Sequence, residues 1–168
     1  MMKRYVLAGL AILLAATPER AMASDSASVS ISTSGGVTFP AANPSIQPVT
    51  PASTSLVATI TINGAKNGNS WALTIRGLNS NFTGTSGAPI PISNVHWTAT
   101  SAVISGAGSA SVISGQNLST TDTLVAFGLE GNKSPCTIQV TFNLTINNSW
   151  TYDADTYLQN LVLTATAQ

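Results

Sequence analysis

The sequence predicts an all-β fold, an antiparallel two-sheet β-sandwich of about eight or nine strands, on three observations. Residues 137–146 alternate strictly between apolar and polar side chains, the period of a strand with one face on a core. Similar alternating runs recur along the chain, separated by turn residues at intervals of about 8–12 residues. No helical period of 3.6 follows the first 23 residues. Together these observations exclude a helical or α/β domain.

The N-terminal segment has the pattern of a Sec signal peptide. Lys3 and Arg4 precede an apolar run over residues 5–16, and residues 21–23 (Ala-Met-Ala) form a small-x-small cleavage site. The apolar run is shorter than the roughly 20 residues that a membrane span needs. We therefore expect a cleaved signal peptide, residues 1–23, and a secreted bacterial protein located outside the cell or on its surface. No membrane span is expected after cleavage.

The next segment, residues 24–54, is predicted to be a strand arm and a proline-rich connection. The arm begins at Ala27 and ends at Phe39, and it alternates through Val29 and Ile31. The connection is extended, because proline fixes φ and donates no hydrogen bond. Its prolines are Pro40, Pro44, Pro48 and Pro51. Two placements are open: the arm is an edge strand of its own domain, or it is given to a neighbouring copy.

Residues 55–168 are expected to form the sandwich itself. Alternation predicts strands over residues 55–63, 69–76 and 123–129, and a closing pair over 137–146 and 157–168. The first two strands are expected to pair through the turn at residues 63–69, and the last two to pair as a hairpin. The side chains expected in the core include Trp71, Trp97 and Phe142.

The charge content is low and excludes some partners. Only 7% of the residues are charged, and beyond residue 23 three cations oppose five anions, a net charge of −2. The cations are Lys66, Arg76 and Lys133; the anions are Asp25, Asp122, Glu130, Asp153 and Asp155. So few cations cannot neutralise many phosphates, which argues against nucleic acid as a partner.

Catalysis is not expected, and no cofactor is predicted. His96 is the only histidine and alternates with Val95 and Trp97, which places it on the outer face of a strand. Nucleophilic devices built on Ser-His-Asp or Cys-His would have to use it, and no Gly-x-Ser-x-Gly elbow is present. Cys136, the one cysteine, is interpreted as a small buried side chain, with an intermolecular disulfide as the alternative.

Two candidate sites lie in the connection between the last two strands. Asp153 and Asp155 are weak calcium candidates, since carboxylates at alternate loop positions can bind calcium but six or more oxygens are needed. Trp150, Tyr152 and Tyr157 are candidates for an aromatic platform that stacks a sugar ring. The alternative is that these aromatic side chains plug the end of the sandwich, with tyrosine hydroxyls bonded to the backbone.

Two short patterns resemble a known family. The segment from Trp71 to Leu73 resembles the Trp-x-Leu motif of WxL surface domains, and the segment that begins at Tyr157 resembles their C-terminal strand. The family's second Trp-x-Leu would fall on residues 163–165, where this chain has Leu-Thr-Ala. The resemblance implies a secreted β-sandwich held non-covalently on the wall of a Gram-positive cell, with cell-wall polysaccharide as a partner.

Fimbrial subunits are similar in having a secreted sandwich and an alternating N-terminal extension that completes a neighbour. The chain lacks the cysteine pair and the penultimate tyrosine of many chaperone–usher pilins.

Three functional hypotheses follow. The first is a secreted, non-enzymatic module with a structural or adhesive role at the cell surface. The second is a self-assembling pilus or fibre subunit that donates residues 27–39 to another copy of itself. The third is a carbohydrate-binding module that uses the loop from Trp150 to Tyr157.

Overall fold

The computed structural model describes residues 27–34, 36–40, 43, 45–51, 55–63, 68–84, 87–131, 135–152 and 157–168. The predicted signal peptide, residues 1–23, lies outside the described residues. In these ranges the backbone forms eleven strands and one 3-10 turn, Ile92–Asn94. The strands are β1 (Ser28–Thr33), β2 (Leu56–Asn63), β3 (Ser70–Gly77), β4 (Asn81–Phe82), β5 (Ile90–Pro91), β6 (Val95–Ser105), β7 (Ser111–Val112), β8 (Gln116–Asn117), β9 (Thr123–Leu129), β10 (Cys136–Ile146) and β11 (Leu161–Ala167).

The strands form two antiparallel sheets, which confirms the predicted all-β sandwich. Sheet 1 has the order β1-β2-β10-β6-β8, and sheet 2 has the order β11-β3-β9-β7. β4 and β5 form a separate two-stranded ribbon. The number of strands exceeds the predicted eight or nine because four of them, β4, β5, β7 and β8, are only two residues long.

The core lies between the inward rows of the two sheets. β2, β3 and β10 alternate between buried and half-buried residues along most of their lengths, as the period of two predicts. Trp97 of β6 and Phe142 of β10 are fully buried and meet edge to face, with ring centroids 6.3 Å apart. Trp71 of β3 is 3% exposed, and its indole N–H donates to the Ser109 carbonyl at 3.1 Å. The predicted burial of these three aromatic side chains is confirmed.

Both predicted hairpins are wrong. β2 pairs with β1 and β10 in sheet 1, whereas β3 pairs with β11 and β9 in sheet 2. The last two strands are separated in the same way, since β10 belongs to sheet 1 and β11 to sheet 2. Alternation specifies which side chains face the core, and a strand that crosses to the opposite sheet keeps the same alternation.

The outer face of sheet 1 is uncharged and rich in hydroxyl and amide groups. Register places on this face Thr59, Thr61, Thr98, Thr100, Thr137, Gln139, Thr141, Asn143 and Thr145. His96 lies on the same face, half-buried, with Nδ1 3.1 Å from Oδ1 of Asn117. Its predicted outward position is confirmed.

Truncation of Phe142 should destabilise the domain strongly. Phe142→Ala removes a fully buried ring, so the free energy of unfolding should fall by about 3–5 kcal/mol. The control is Phe127→Ala on β9, where a ring that is 45% exposed is removed and the loss should be on the order of 1 kcal/mol or less. Denaturant unfolding of both variants measures the difference, and equal losses would contradict the proposed core.

Candidate functional site

A cleft lies between the two sheets at one end of the sandwich, which we call the Trp150 end. Here β10 ends at Ile146 and β11 begins at Leu161, and the chain between them carries Trp150, Tyr152 and Tyr157. A cleft of about 1520 Å³ opens between the sheets at this end, and all three aromatic residues border it. The three residues of the predicted platform therefore border the same cleft.

Aliphatic side chains from both sheets form the floor of the cleft. Leu56 and Leu144 contribute from sheet 1, and Leu161 and Leu163 contribute from sheet 2. Among the residues that the structure describes, none of those lining the cleft is charged. The described lining of the cleft is therefore mostly apolar and neutral.

The three aromatic residues have different environments. Trp150 is 74% exposed, so most of its indole is open to solvent. Tyr152 is half-buried, and its hydroxyl accepts a hydrogen bond from Nδ2 of Asn94 at 2.9 Å. Tyr157 is also half-buried. Tyr152 thus behaves partly as the plug of the alternative interpretation, although its partner is a side-chain amide and not the backbone.

Hydrogen bonds from distant segments fix the rim of the cleft. The side chain of Gln47 donates to the Asn148 carbonyl at 2.8 Å and accepts from the Asn148 amide at 2.9 Å. Val49 and Ile146 exchange backbone hydrogen bonds at 2.9 and 3.0 Å. Nε2 of Gln159 donates to the backbone carbonyl of Asn79 at 2.7 Å. The rim is therefore built on a network that spans most of the chain, and sequence reasoning gave no signal for it.

The calcium candidates Asp153 and Asp155 lie outside the described residues. Within the described ranges, no three His, Cys, Asp or Glu side chains come together as a set that could hold a metal ion.

A second polar feature lies at the opposite end of the sandwich. Glu130 follows β9 and is fully buried, as is Cys136 at the start of β10. Burial raises the pKa of the Cys136 thiol, and the negative charge of Glu130 raises it further. Gly108 approaches so closely that a Cβ there would lie 2.8 Å from the Cys136 sulfur. The thiol is thus enclosed and held in its neutral form, which is unfavourable for a nucleophile. In the sequence, only its position after an apolar run distinguishes Glu130, so sequence reasoning did not identify it as a buried residue.

The residues of the WxL resemblance do not form one site. Trp71 and Leu73 are buried inside β3, and Trp71 pairs with Ala167 at the far end of β11. Tyr157 precedes β11 at the Trp150 end. In this chain the Trp-x-Leu residues are therefore core side chains.

No protein-family model, curated protein or solved structure matches the chain. Among the described residues, the structure contains no helix with the length and apolarity to cross a membrane.

The pKa shift of Cys136 predicts a loss of stability in alkali. An unfolded cysteine titrates near pH 8.5, and the pKa of the folded thiol is higher. The contribution of the neutral thiol to the free energy of unfolding is therefore complete below about pH 8, and it is lost as pH rises through the folded pKa. The free energy of unfolding, measured by denaturant titration between pH 7 and 10, should decline more steeply for wild type than for Cys136→Ala. Identical pH profiles would show that the thiol does not contribute.

Proposed function

We propose that this chain is a secreted, non-enzymatic β-sandwich that acts at the cell surface as a structural or adhesive module. The observation that supports it best is the surface at the Trp150 end. Trp150 and Leu158 are 74% and 71% exposed there, beside an apolar cleft and on a rim fixed by hydrogen bonds. Large exposed apolar side chains on a rigid frame are characteristic of a contact surface.

The chemistry of this surface favours a neutral partner. The described lining of the cleft is uncharged, and the indole of Trp150 offers a flat face on which a sugar ring can stack. Amide side chains at the cleft, such as Asn147 and Asn160, add hydrogen-bonding groups. Cell-wall polysaccharide is therefore the partner that we propose for an adhesive role, and this version includes the carbohydrate-binding hypothesis.

The buried, neutral thiol of Cys136 supports the non-enzymatic assignment, because an accessible thiolate is what a cysteine nucleophile needs. The apolar run of residues 5–16 and its cleavage site support secretion.

Removal of the exposed indole should weaken attachment to the wall. Trp150→Ala should lose about 2 kcal/mol of binding, or roughly thirtyfold in Kd for isolated cell walls. Leu129→Ala is the matched control, since Leu129 is 51% exposed but lies at the opposite end of sheet 2. A pull-down with purified walls measures both, after fractionation has located the wild-type protein. Cytoplasmic retention, or equal binding by both variants, would reject the proposal.

The N-terminal arm supports a second candidate, a fibre subunit that exchanges strands. β1 pairs only with β2 among the described strands, at the edge of sheet 1, and Ile31 remains 36% exposed. Further along, Val37 and Phe39 are half-buried and line the cleft at the Trp150 end. The arm thus completes an edge and a cleft that another copy of the arm could complete equally well.

The segment that follows the arm is held at the rim of the cleft. Gln47 and Val49 are bonded there to Asn148 and Ile146. The arm up to Phe39 is attached through the β1–β2 ladder. The same ladder hydrogen bonds would form if β1 paired with β2 of a neighbouring copy.

Paired cysteines distinguish an exchanged arm from a retained one. Ser30 lies opposite Thr61 in the β1–β2 register, and the spacing of paired antiparallel strands fits a disulfide. In an exchanging protein, Ser30→Cys with Thr61→Cys should give covalent multimers on a non-reducing gel. The control is Thr61→Cys with Thr137→Cys, which joins β2 to β10 within one sandwich and should give monomers only. Monomers from both variants at high concentration would exclude the fibre candidate.

A further inference from the structure

The two lateral sides of the sandwich protect their sheet edges differently. On one side the edge strands are β7 and β8, which have two residues each. On the other side the edge of sheet 2 is β11, seven residues from Leu161 to Ala167, with no charge, proline or bulge in its register. Natural proteins usually blunt a long edge by one of those devices, because its free backbone groups attract another strand. β11 carries none of them, and no described strand pairs with its outer side.

The hydrogen-bond pattern shows which residues of β11 face outward along the sheet. Ser70 and Gln168 donate to each other's carbonyls at 3.0 and 2.9 Å, so Gln168 is in a hydrogen-bonded pair with β3. Such pairs alternate along an antiparallel ladder, so Thr164 and Thr166 also direct their backbone groups toward β3. Leu163 and Ala165 therefore direct their N–H and carbonyl groups away from β3, toward the free edge.

The sequence of β11 is complementary to itself around Thr164. In an antiparallel pairing of two copies centred there, Leu161 faces Ala167 and Leu163 faces Ala165. Each of these four residues directs its backbone groups to the free edge, so both pairs can form ladder hydrogen bonds. The same pairing puts the inward aliphatic side chains of both copies on one face. Leu161 and Leu163 are only half-buried in the single chain, and a neighbouring strand would cover them further.

We propose that a second copy of this chain binds at the free edge of β11, by antiparallel β11–β11 pairing centred on Thr164. A two-fold axis relates the copies, so the contact closes after two chains and joins their second sheets into one continuous sheet. Pairings centred on a different residue leave part of β11 without a partner. β1 of the N-terminal arm lies beside β11 but belongs to sheet 1 and does not pair with it, so the proposed contact uses no backbone group of the arm.

Cross-linking at the centre of the pairing provides the direct test. Two copies of residue 164 would face each other in a pair without ladder hydrogen bonds, where Cα atoms are about 4.5 Å apart and a disulfide can form. After mild oxidation of the secreted chain, Thr164→Cys should give a covalent dimer and nothing larger. The wild-type chain, whose one thiol is buried, should give none.

Thr74 supplies the matched control. It lies directly opposite Thr164 on β3, on the same outer face of sheet 2, but one strand away from the edge. Thr74→Cys should stay monomeric under the same oxidation. A monomeric Thr164→Cys, or equal dimerisation of both variants, would overturn the proposal.

Charge at the same two positions gives a reversible readout. Thr164→Lys places two ammonium groups opposite each other and should weaken dimerisation about fivefold in sedimentation equilibrium, whereas Thr74→Lys should leave it unchanged. Unfolding curves establish that both variants are folded. Assembly by exchange of the N-terminal arm would instead be open-ended and insensitive to Thr164→Lys. Failure of the β11–β11 contact therefore leaves the strand-exchange candidate testable, and the reverse also holds. A dimer that is equally stable in both variants would show that the contact lies elsewhere.

Discussion

The row of side chains that β10 buries is the constraint on which the rest of the structure depends. β10 pairs with β2 on one side and β6 on the other, and its inward residues from Cys136 to Leu144 lie against sheet 2. The outer strands β1 and β8 join sheet 1 only through β2 and β6. Contact between Phe142 and Trp97 ties the centre of this row to β6. Both edges of the sheet, and the cleft beside them, therefore take their positions from one central strand.

Particular residues show which features of the fold could be predicted from the sequence and which could not. Phe142 and Trp71 could be placed in the core because alternation decides the face of a strand. The partners of their strands could not, because β3 alternates identically whether it pairs beside β2 or crosses to the opposite sheet. Turn residues at positions 63–69 favour a reversal of direction, and a crossover between sheets also reverses direction. The fold class was therefore predictable, and the strand order was not.

The candidate site was predictable only where it is local in sequence. Trp150, Tyr152 and Tyr157 are close along the chain, so their proximity followed from position alone. The amide of Asn94 that binds the Tyr152 hydroxyl is 58 residues away, and Gln47 lies 101 residues from Asn148. Pairings at such separations arise from the folded topology, and no local pattern encodes them. The cleft has the same origin, since its lining comes from both sheets.

The scarcity of charge has a kinetic consequence for any partner of this molecule. A sheet face made of threonine, asparagine and glutamine produces little long-range potential, and only 7% of the whole chain is charged. Encounters are then not steered by charge, and association rates stay at about 10⁵–10⁶ M⁻¹ s⁻¹ in dilute and concentrated salt alike. Persistence at a surface must come from slow dissociation or from many copies that act together. Any such binding would tolerate changes in ionic strength that release a charged adhesin.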